Sequence, residues 1–175
     1  MKLHSYGSYD DYMQAQIEAN KRKIDWVWVH KESMKAIREY RDADNIICHG
    51  ARNGAEIEFF REYFNGFVMG TDISPTADTY GLTQWDFNKQ NSSWIGRFDI
   101  VYSNSLDHSP NPNETVEVWK EQCNEGGNVM IEWGKEHNKQ HNAEIDPFMA
   151  SLDEYREMFE PVNEIKTSYS TILVL

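Results

Sequence analysis

Three features of this 175-residue sequence predict an α/β fold: a doubly wound, mostly parallel sheet with helices on both faces and the last strand antiparallel. Short apolar runs of strand length alternate with longer amphipathic segments of helical period. The first such run, Asn45–Cys48, breaks at a glycine and passes within a few residues into a helical pattern. The two C-terminal runs, near 162–168 and 170–175, are separated by only a tight turn and must pair antiparallel, whereas the earlier strands need helical crossovers.

Residues 9 to 24 are polar and helix-favouring, with Tyr9, Tyr12, Ile17 and Ile24 as sparse apolar points. Trp26-Val27-Trp28-Val29 is too apolar for a linker and reads as a short extended or turn segment. A helix is expected from Lys31 to Tyr40, with Met34 and Ile37 inward. After the Asn45–Cys48 strand, Ala55 to Phe64 reads as a helix with Ile57, Phe60 and Phe64 inward, and Gly66 is expected to end it. Strands follow in GFVMGTDIS and in FDIVYSNS at 98 to 105. Glu114 to Gln122 is a helix carrying Val118 and Trp119, and Glu125-Gly126-Gly127 is expected to turn the chain into the strand NVMIEW. Ser151 opens a helix, SLDEYREMF, with Asp153 and Glu154 in the first turn, where they suit the helix dipole.

At this length one core is expected, hence one domain over 1–175. The net charge of −12 argues against duplex DNA or a phospholipid surface as a partner, since both repel an acidic protein. Cys48 and Cys123 make neither a disulfide framework nor a zinc cluster. The N-terminal residues lack the apolar core of a secretion signal and no run approaches membrane-spanning length, so a cytoplasmic protein with reduced thiols is expected.

Gly50 and Gly54 bracket Arg52 where a dinucleotide fingerprint needs another glycine for the backbone to approach a pyrophosphate, which disfavours NAD and FAD. Asp72 closes the next strand, where a carboxylate can accept hydrogen bonds from both hydroxyls of a ribose. The series continues through LTQWDFNKQ at the place of a third strand, FDIVYSNSLDH, and the glycine turn before NVMIEW. From about Ile46 to Trp133 it resembles the class I S-adenosylmethionine-dependent methyltransferases, with their Rossmann-like fold. HGARNGAEIEFF and GTDISP are similar to a branch with a G-x-R-x-G-x-E first loop.

The resemblance implies S-adenosyl-L-methionine as methyl donor, S-adenosylhomocysteine as product and a small-molecule acceptor. It divides the chain into an N-terminal helical lid, 1–42, and a cofactor-binding sheet core, 43–175. The loop His49, Gly50, Ala51, Arg52, Gly54 and Glu56 would pass beneath the amino-acid end of the cofactor. Asp72 would take the ribose hydroxyls, Ile73 one face of the adenine, Asp86 its amino group and the Phe87 N–H a ring nitrogen. Ser103 and Asn104 would line the cleft near the methyl donor. Arg52 has two readings, a salt bridge to the ligand carboxylate or a brace to Glu56 or Glu58. The chain departs from the common pattern at Cys48, where the family has an acid that helps hold the ligand's amino group; Glu56 or main-chain carbonyls around His49 and Ser103 could take that task.

Asp107 and His108 follow the fourth strand and are the candidate catalytic pair, histidine being the residue type suited to accept a proton near neutrality. The chain lacks the D/N-P-P-Y/F/W motif of amino-nitrogen methylation at this strand end and a Pro-Cys pair, so nucleic-acid methylation is disfavoured. His137 and His141, with Glu132, Glu136 and Glu144 nearby, read as a polar loop over the pocket and not as a metal site. Tyr6, Tyr9, Tyr12, Trp26 and Trp28 either shape an acceptor pocket or pack the lid. Two other functions suit the same motifs: a non-catalytic binder of the cofactor, and a nucleotide-cofactor oxidoreductase. An edge near STILVL, or the N-terminal aromatics, would offer a homodimer surface.

Overall fold

A computed structural model describes residues 1–135 and 146–175. Its elements run β1 (Lys2–Leu3), α1 (Tyr9–Arg22), α2 (Lys31–Tyr40), β2 (Asn45–His49), α3 (Ala55–Tyr63), β3 (Phe67–Asp72), β4 (Thr83–Gln84), β5 (Phe98–Ser103), α4 (Pro112–Gln122), β6 (Cys123–Gly134), β7 (Phe148–Met149), α5 (Leu152–Phe159), β8 (Asn163–Lys166) and β9 (Ser170–Val174), with 3-10 turns at Pro75–Tyr80 and Leu106–His108. Seven strands form one sheet in the order β4-β3-β2-β5-β6-β9-β8. β9 runs antiparallel to both neighbours and the other pairings are parallel, as expected.

The chain winds outward from β2 to β3 and β4, then returns to place β5 on the other side of β2. Between β2 and β5 the direction of winding reverses, which opens a crevice at the carboxyl ends of the strands. Alternation along β2 divides the core: Ile46 and Cys48 join the layer under α2 and α3, with Met34, Ile37, Ile57 and Phe60. Ile47 faces the opposite layer, with Val116 and Trp119 of α4 and Tyr155 and Phe159 of α5. Such a two-sided burial leaves a central parallel strand almost no polar face. Among the described residues, no helix is long and apolar enough to cross a membrane.

Local chemistry supports most boundaries. Ser151 caps α5 through a full capping box, its hydroxyl accepting from the Glu154 N–H while the Glu154 carboxylate accepts from the Ser151 N–H. Ser8 caps α1 by accepting from the Asp11 N–H. Three expectations need correction. Gly66 does not end α3: Phe64 is its extended C-cap, and Gly66 is required because a Cβ there would collide with the Asp44 carbonyl. Glu125-Gly126-Gly127 is not a turn before a strand; it bulges within β6, so that Cys123 pairs with Phe98 and Asn128 already with Ile100. Residues 170–174 are no edge either, since β9 lies between β6 and β8, and β4 and β8 are the outer strands.

His49 shows how completely the sheet is enclosed. Its ring is buried between Thr71 Oγ1 and Gln122 Oε1, each 2.8 Å from a ring nitrogen, and stacks on Trp119 at 5.3 Å. Burial pushes its pKa down to about 4. A depressed histidine favours the folded state while neutral, so this contribution is present above the unfolded pKa near 6.5 and is lost as pH falls toward 4. Urea unfolding at pH 7.5 and pH 4.5 should therefore show an acid-side loss of about 2–3 kcal/mol from this group, and His49→Gln should flatten it. Gly66→Ala should lower stability by about 2 kcal/mol at either pH, because backbone rather than a flexible side chain must move.

Candidate functional site

After β2 the backbone takes three residues into the left-handed region: Gly50 at φ 72°, Arg52 at φ 40° and Gly54 at φ 78°. Glycine adopts this region freely, whereas arginine there is strained. Gly50 also has to be small, because a Cβ would come within 2.8 Å of the Ser105 Cβ in the loop after β5. The loop is tied to the sheet by the Ala51 N–H donating to the Thr71 carbonyl at 2.9 Å. Asn53 Nδ2 donates to the Ile24 carbonyl at 2.8 Å, so the segment after α1 straps the loop from outside.

Arg52 follows the strap instead of its own helix. Its guanidinium donates to the Trp26 carbonyl at 3.3 Å, and Glu58 is taken by Arg61 at 2.9 Å. The expected brace to Glu56 or Glu58 is therefore not made as an ion pair, although the Arg52 charge is near enough to favour the ionised forms of Glu56 and Asp72.

Asp72 is the hub of the crevice. Its Oδ2 accepts from the Arg52 N–H at 3.0 Å, and its Oδ1 accepts from the Ser74 N–H and from Asn20 Nδ2, both at 2.8 Å. Burial raises its pKa, and these two backbone donors oppose the rise. Asp86 lies just beyond β4; its Oδ1 accepts from the Asn88 N–H at 3.0 Å and its Oδ2 from the Tyr9 hydroxyl at 2.5 Å. Gly50, Asp72, Ile73, Asp86, Phe87 and Ser105 line one cleft together with His108 and residues of α1.

The inner face of α1 was legible only in part. Tyr9, Tyr12, Gln16 and Asn20, spaced three, four and four residues apart, form one helical stripe. Each bonds to a cleft residue: Tyr9 to Asp86, Tyr12 to Asn88 at 2.8 Å, Gln16 to His108 at 2.9 Å and Asn20 to Asp72. Ile17, one of the sparse apolar points, is half-buried, while Gln16 and Asn20 are buried. The signal was present as polar residues at helical spacing, which an apolar-period reading passes over.

Glu56, in the first turn of α3, is buried, with Oε2 lacking any hydrogen-bond partner. Its Oε1 accepts weakly from Asn104 Nδ2 at 3.4 Å. Burial pushes its pKa up to about 7, with its own backbone N–H and the Arg52 charge pulling the other way. Cys48, at the place of the missing acid, is wholly buried and its thiol pKa is raised by burial and by the charge of nearby Glu56. The carboxyl group thus stands beside the position where the sequence pattern lacks one. Ser103 Oγ donates to the His49 carbonyl at 2.9 Å and closes the seam between β2 and β5. The His49 carbonyl is thus occupied within the sheet, and its ring belongs to the core.

Asp107 and His108 line different hollows, although their side chains approach each other around Asp146. His108 lines the cleft, its Nδ1 2.9 Å from Gln16 Oε1 and 3.6 Å from Asp146 Oδ1. Asp107 faces a smaller hollow with Asp146, Phe148 and Tyr155. Ligand atoms of Asp107, His108 and Asp146 lie within 4.8 Å of one another, and Lys23 Nζ already stands 3.8 Å from Asp146 Oδ1. His137, His141, Glu136 and Glu144 lie outside the described residues.

Glu132 lies in the expected strand NVMIEW, and its partners among the described residues are hydroxyl groups. It lies in β6, buried, with Oε1 accepting from Ser33 Oγ at 2.6 Å and Ser170 Oγ at 2.5 Å, and Oε2 accepting from the Tyr102 hydroxyl. With Asn104 it lines a cavity of about 340 Å³ beside the first cleft.

No family model matches the chain, and no curated protein matches it in sequence. Solved structures match its fold over most of both chains. A 1,6-didemethyltoxoflavin-N1-methyltransferase from Burkholderia thailandensis, bound to 1,6-didemethyltoxoflavin and S-adenosylhomocysteine, is 14% identical, with 98% of this chain and 91% of that one covered at TM-score 0.69. A SAM-dependent methyltransferase from Aquifex aeolicus is 12% identical, covering 90% and 96% at TM-score 0.69. The N-methyltransferase NodS from Bradyrhizobium japonicum WM9, in complex with S-adenosyl-L-homocysteine, is 10% identical, covering 91% and 97% at TM-score 0.64. The fold of this chain is that of the class I methyltransferases.

Proposed function

We propose that the protein is an S-adenosylmethionine-dependent methyltransferase acting on a small-molecule acceptor. The observation that carries this reading is the pair Asp72 and Asp86, at the carboxyl ends of adjacent strands and walls of one cleft with Gly50 and Ile73. The orphaned Oε2 of buried Glu56 also suits the group: a cationic amine is the partner that such an atom lacks. The bound donor would supply an already activated methyl group.

The chain's own residues would hold and orient it. Asp72 would accept from the ribose hydroxyls and Asp86 from the adenine amino group, while Ile73 and the buried ring of Phe87 would border the purine. The Gly50–Gly54 loop would run beneath the amino-acid end, with the carbonyls of His49 and Ser103 and the Glu56 carboxylate receiving its ammonium. Residues 1–42 would serve as lid, and Asn104 would stand at the passage toward the acceptor. Catalysis by this site would consist mainly of alignment and exclusion of water.

Binding requires an exchange at the lid. Asp72 Oδ1 already accepts two hydrogen bonds and Oδ2 one, so a ribose diol can be held by both oxygens only if Asn20 yields its place. Calorimetry with S-adenosylhomocysteine should give saturable heat, while NAD gives none; no heat with the former would refute the assignment. Asp72→Ala should weaken that binding by about 100-fold, the cost of losing hydrogen bonds to a charged acceptor. Asn20→Ala should instead tighten it about fivefold, because one bond of roughly 1 kcal/mol no longer has to be broken. Burial of Glu56 favours its neutral form, and only the ionised form attracts an ammonium. Affinity should therefore fall as pH drops from 8 through 7 toward 6, and Glu56→Gln should remove that dependence.

A further inference from the structure

The largest unexplained charge in the molecule is Glu132. Its carboxylate is buried and accepts from three hydroxyl groups, those of Ser33, Tyr102 and Ser170. Among the described residues no lysine, arginine or histidine forms an ion pair with it. Lys135, at the rim of the same cavity, directs its ammonium instead to the Thr167 and Ser168 carbonyls at 3.3 and 3.0 Å. Glu56, close enough to act on Glu132 electrostatically, adds charge of the same sign when ionised. A buried anion without a cation is costly, and a site that keeps one is prepared for a positive ligand.

The walls above this floor are aromatic. Trp28 lines one side, and His30 and Tyr169 stack face to face at 3.8 Å with an interplanar angle of 7°. Flat rings of this kind accept stacked aromatic groups and attract cations over their faces. The cavity volume of about 340 Å³ falls within the range of small-molecule sites. Asn104 lines this cavity and its neighbour Ser105 lines the cleft that holds Asp72, so the two spaces meet at one residue pair after β5.

We infer that this cavity is a binding site for small aromatic amines, with Glu132 holding the amine and Trp28 and the His30–Tyr169 pair enclosing the ring. Taken together with the methyltransferase reading, on which this naming of its role rests, the amine is the methyl acceptor; occupancy of the cavity itself does not depend on that reading. Attack needs the neutral amine, so the ammonium first loses a proton to solvent. Its lone pair would then form the N–C bond as the S–C bond of the donor breaks. The electron pair stays on sulfur in the departing S-adenosylhomocysteine, and the positive charge passes from sulfur to a nitrogen beside the Glu132 carboxylate.

Tyramine and 4-hydroxyphenylacetate, which share a ring and differ in the sign of their charge, provide the test. Thermal shift and calorimetry on the full chain should show binding of tyramine and no response to 4-hydroxyphenylacetate at equal concentration. Glu132→Gln should weaken tyramine at least tenfold while leaving the response to S-adenosylhomocysteine intact, which also certifies that the variant folds. Should Glu132→Gln fail to fold, Trp28→Leu at the rim must produce the same selective loss. Equal binding of both probes, binding of neither, or unchanged tyramine affinity in a folded variant would overturn the inference. Tyramine binding without any response to S-adenosylhomocysteine would preserve the cavity and defeat the methyltransferase reading instead.

Discussion

Three parts of the chain are joined through one carboxylate. Asp72 receives the Arg52 N–H from the loop after β2, the Ser74 N–H from the turn after β3 and the side-chain amide of Asn20 from α1. Each donor arrives from a different segment, and an ionised acceptor makes stronger bonds than a neutral one. Without this group the strained Arg52 would lose its anchor, and α1 would lose its buried polar contact with the sheet. The same two oxygens therefore both shape the crevice and fasten α1 to it.

That linkage extends along the helix. α1 presents a stripe of hydrogen-bonding groups to the cleft, so its contact with the sheet draws less on apolar burial than that of α2, whose Met34 and Ile37 are completely buried. Polar contacts that water or ligand hydroxyls can replace contribute only about 1 kcal/mol each, whereas displacing packed aliphatic side chains costs several. Contacts of this kind can exchange partners without disturbing the core. The second cavity differs: aromatic rings and a buried carboxylate form its walls and floor, and its residues come from the strap after α1, β6 and the β8–β9 turn. The two spaces are built from different segments and meet at Asn104 and Ser105.

The sheet core was readable because its determinants are local and periodic. Ile46, Ile47 and Cys48 must form a strand buried on both faces, and Ala55 to Tyr63 bears its apolar residues at helical spacing. The aspartates at 72 and 86 were recognisable because strand ends in this topology converge on one crevice. What escaped detection depends on long-range pairing. Nothing near Gly66 announces the Asp44 carbonyl against it, and nothing near Ser170 reveals that its strand, besides pairing with β8 as expected, will also pair with β6. Arg52 was read against Glu56 and Glu58 of the helix that follows it, yet its partner is a carbonyl 26 residues earlier in the chain. Glu132 was placed with the histidines that follow it, although its hydroxyl partners come from α2, β5 and β9.

The central claim is that a ribose diol replaces Asn20 on Asp72. A crystal structure with S-adenosylhomocysteine tests it most directly. The account predicts both ribose hydroxyls on the Asp72 carboxylate, the purine amino group toward Asp86, and Asn20 withdrawn with α1. Ligand bound elsewhere, or a sugar in the cleft with the Asn20–Asp72 hydrogen bond retained, would contradict it.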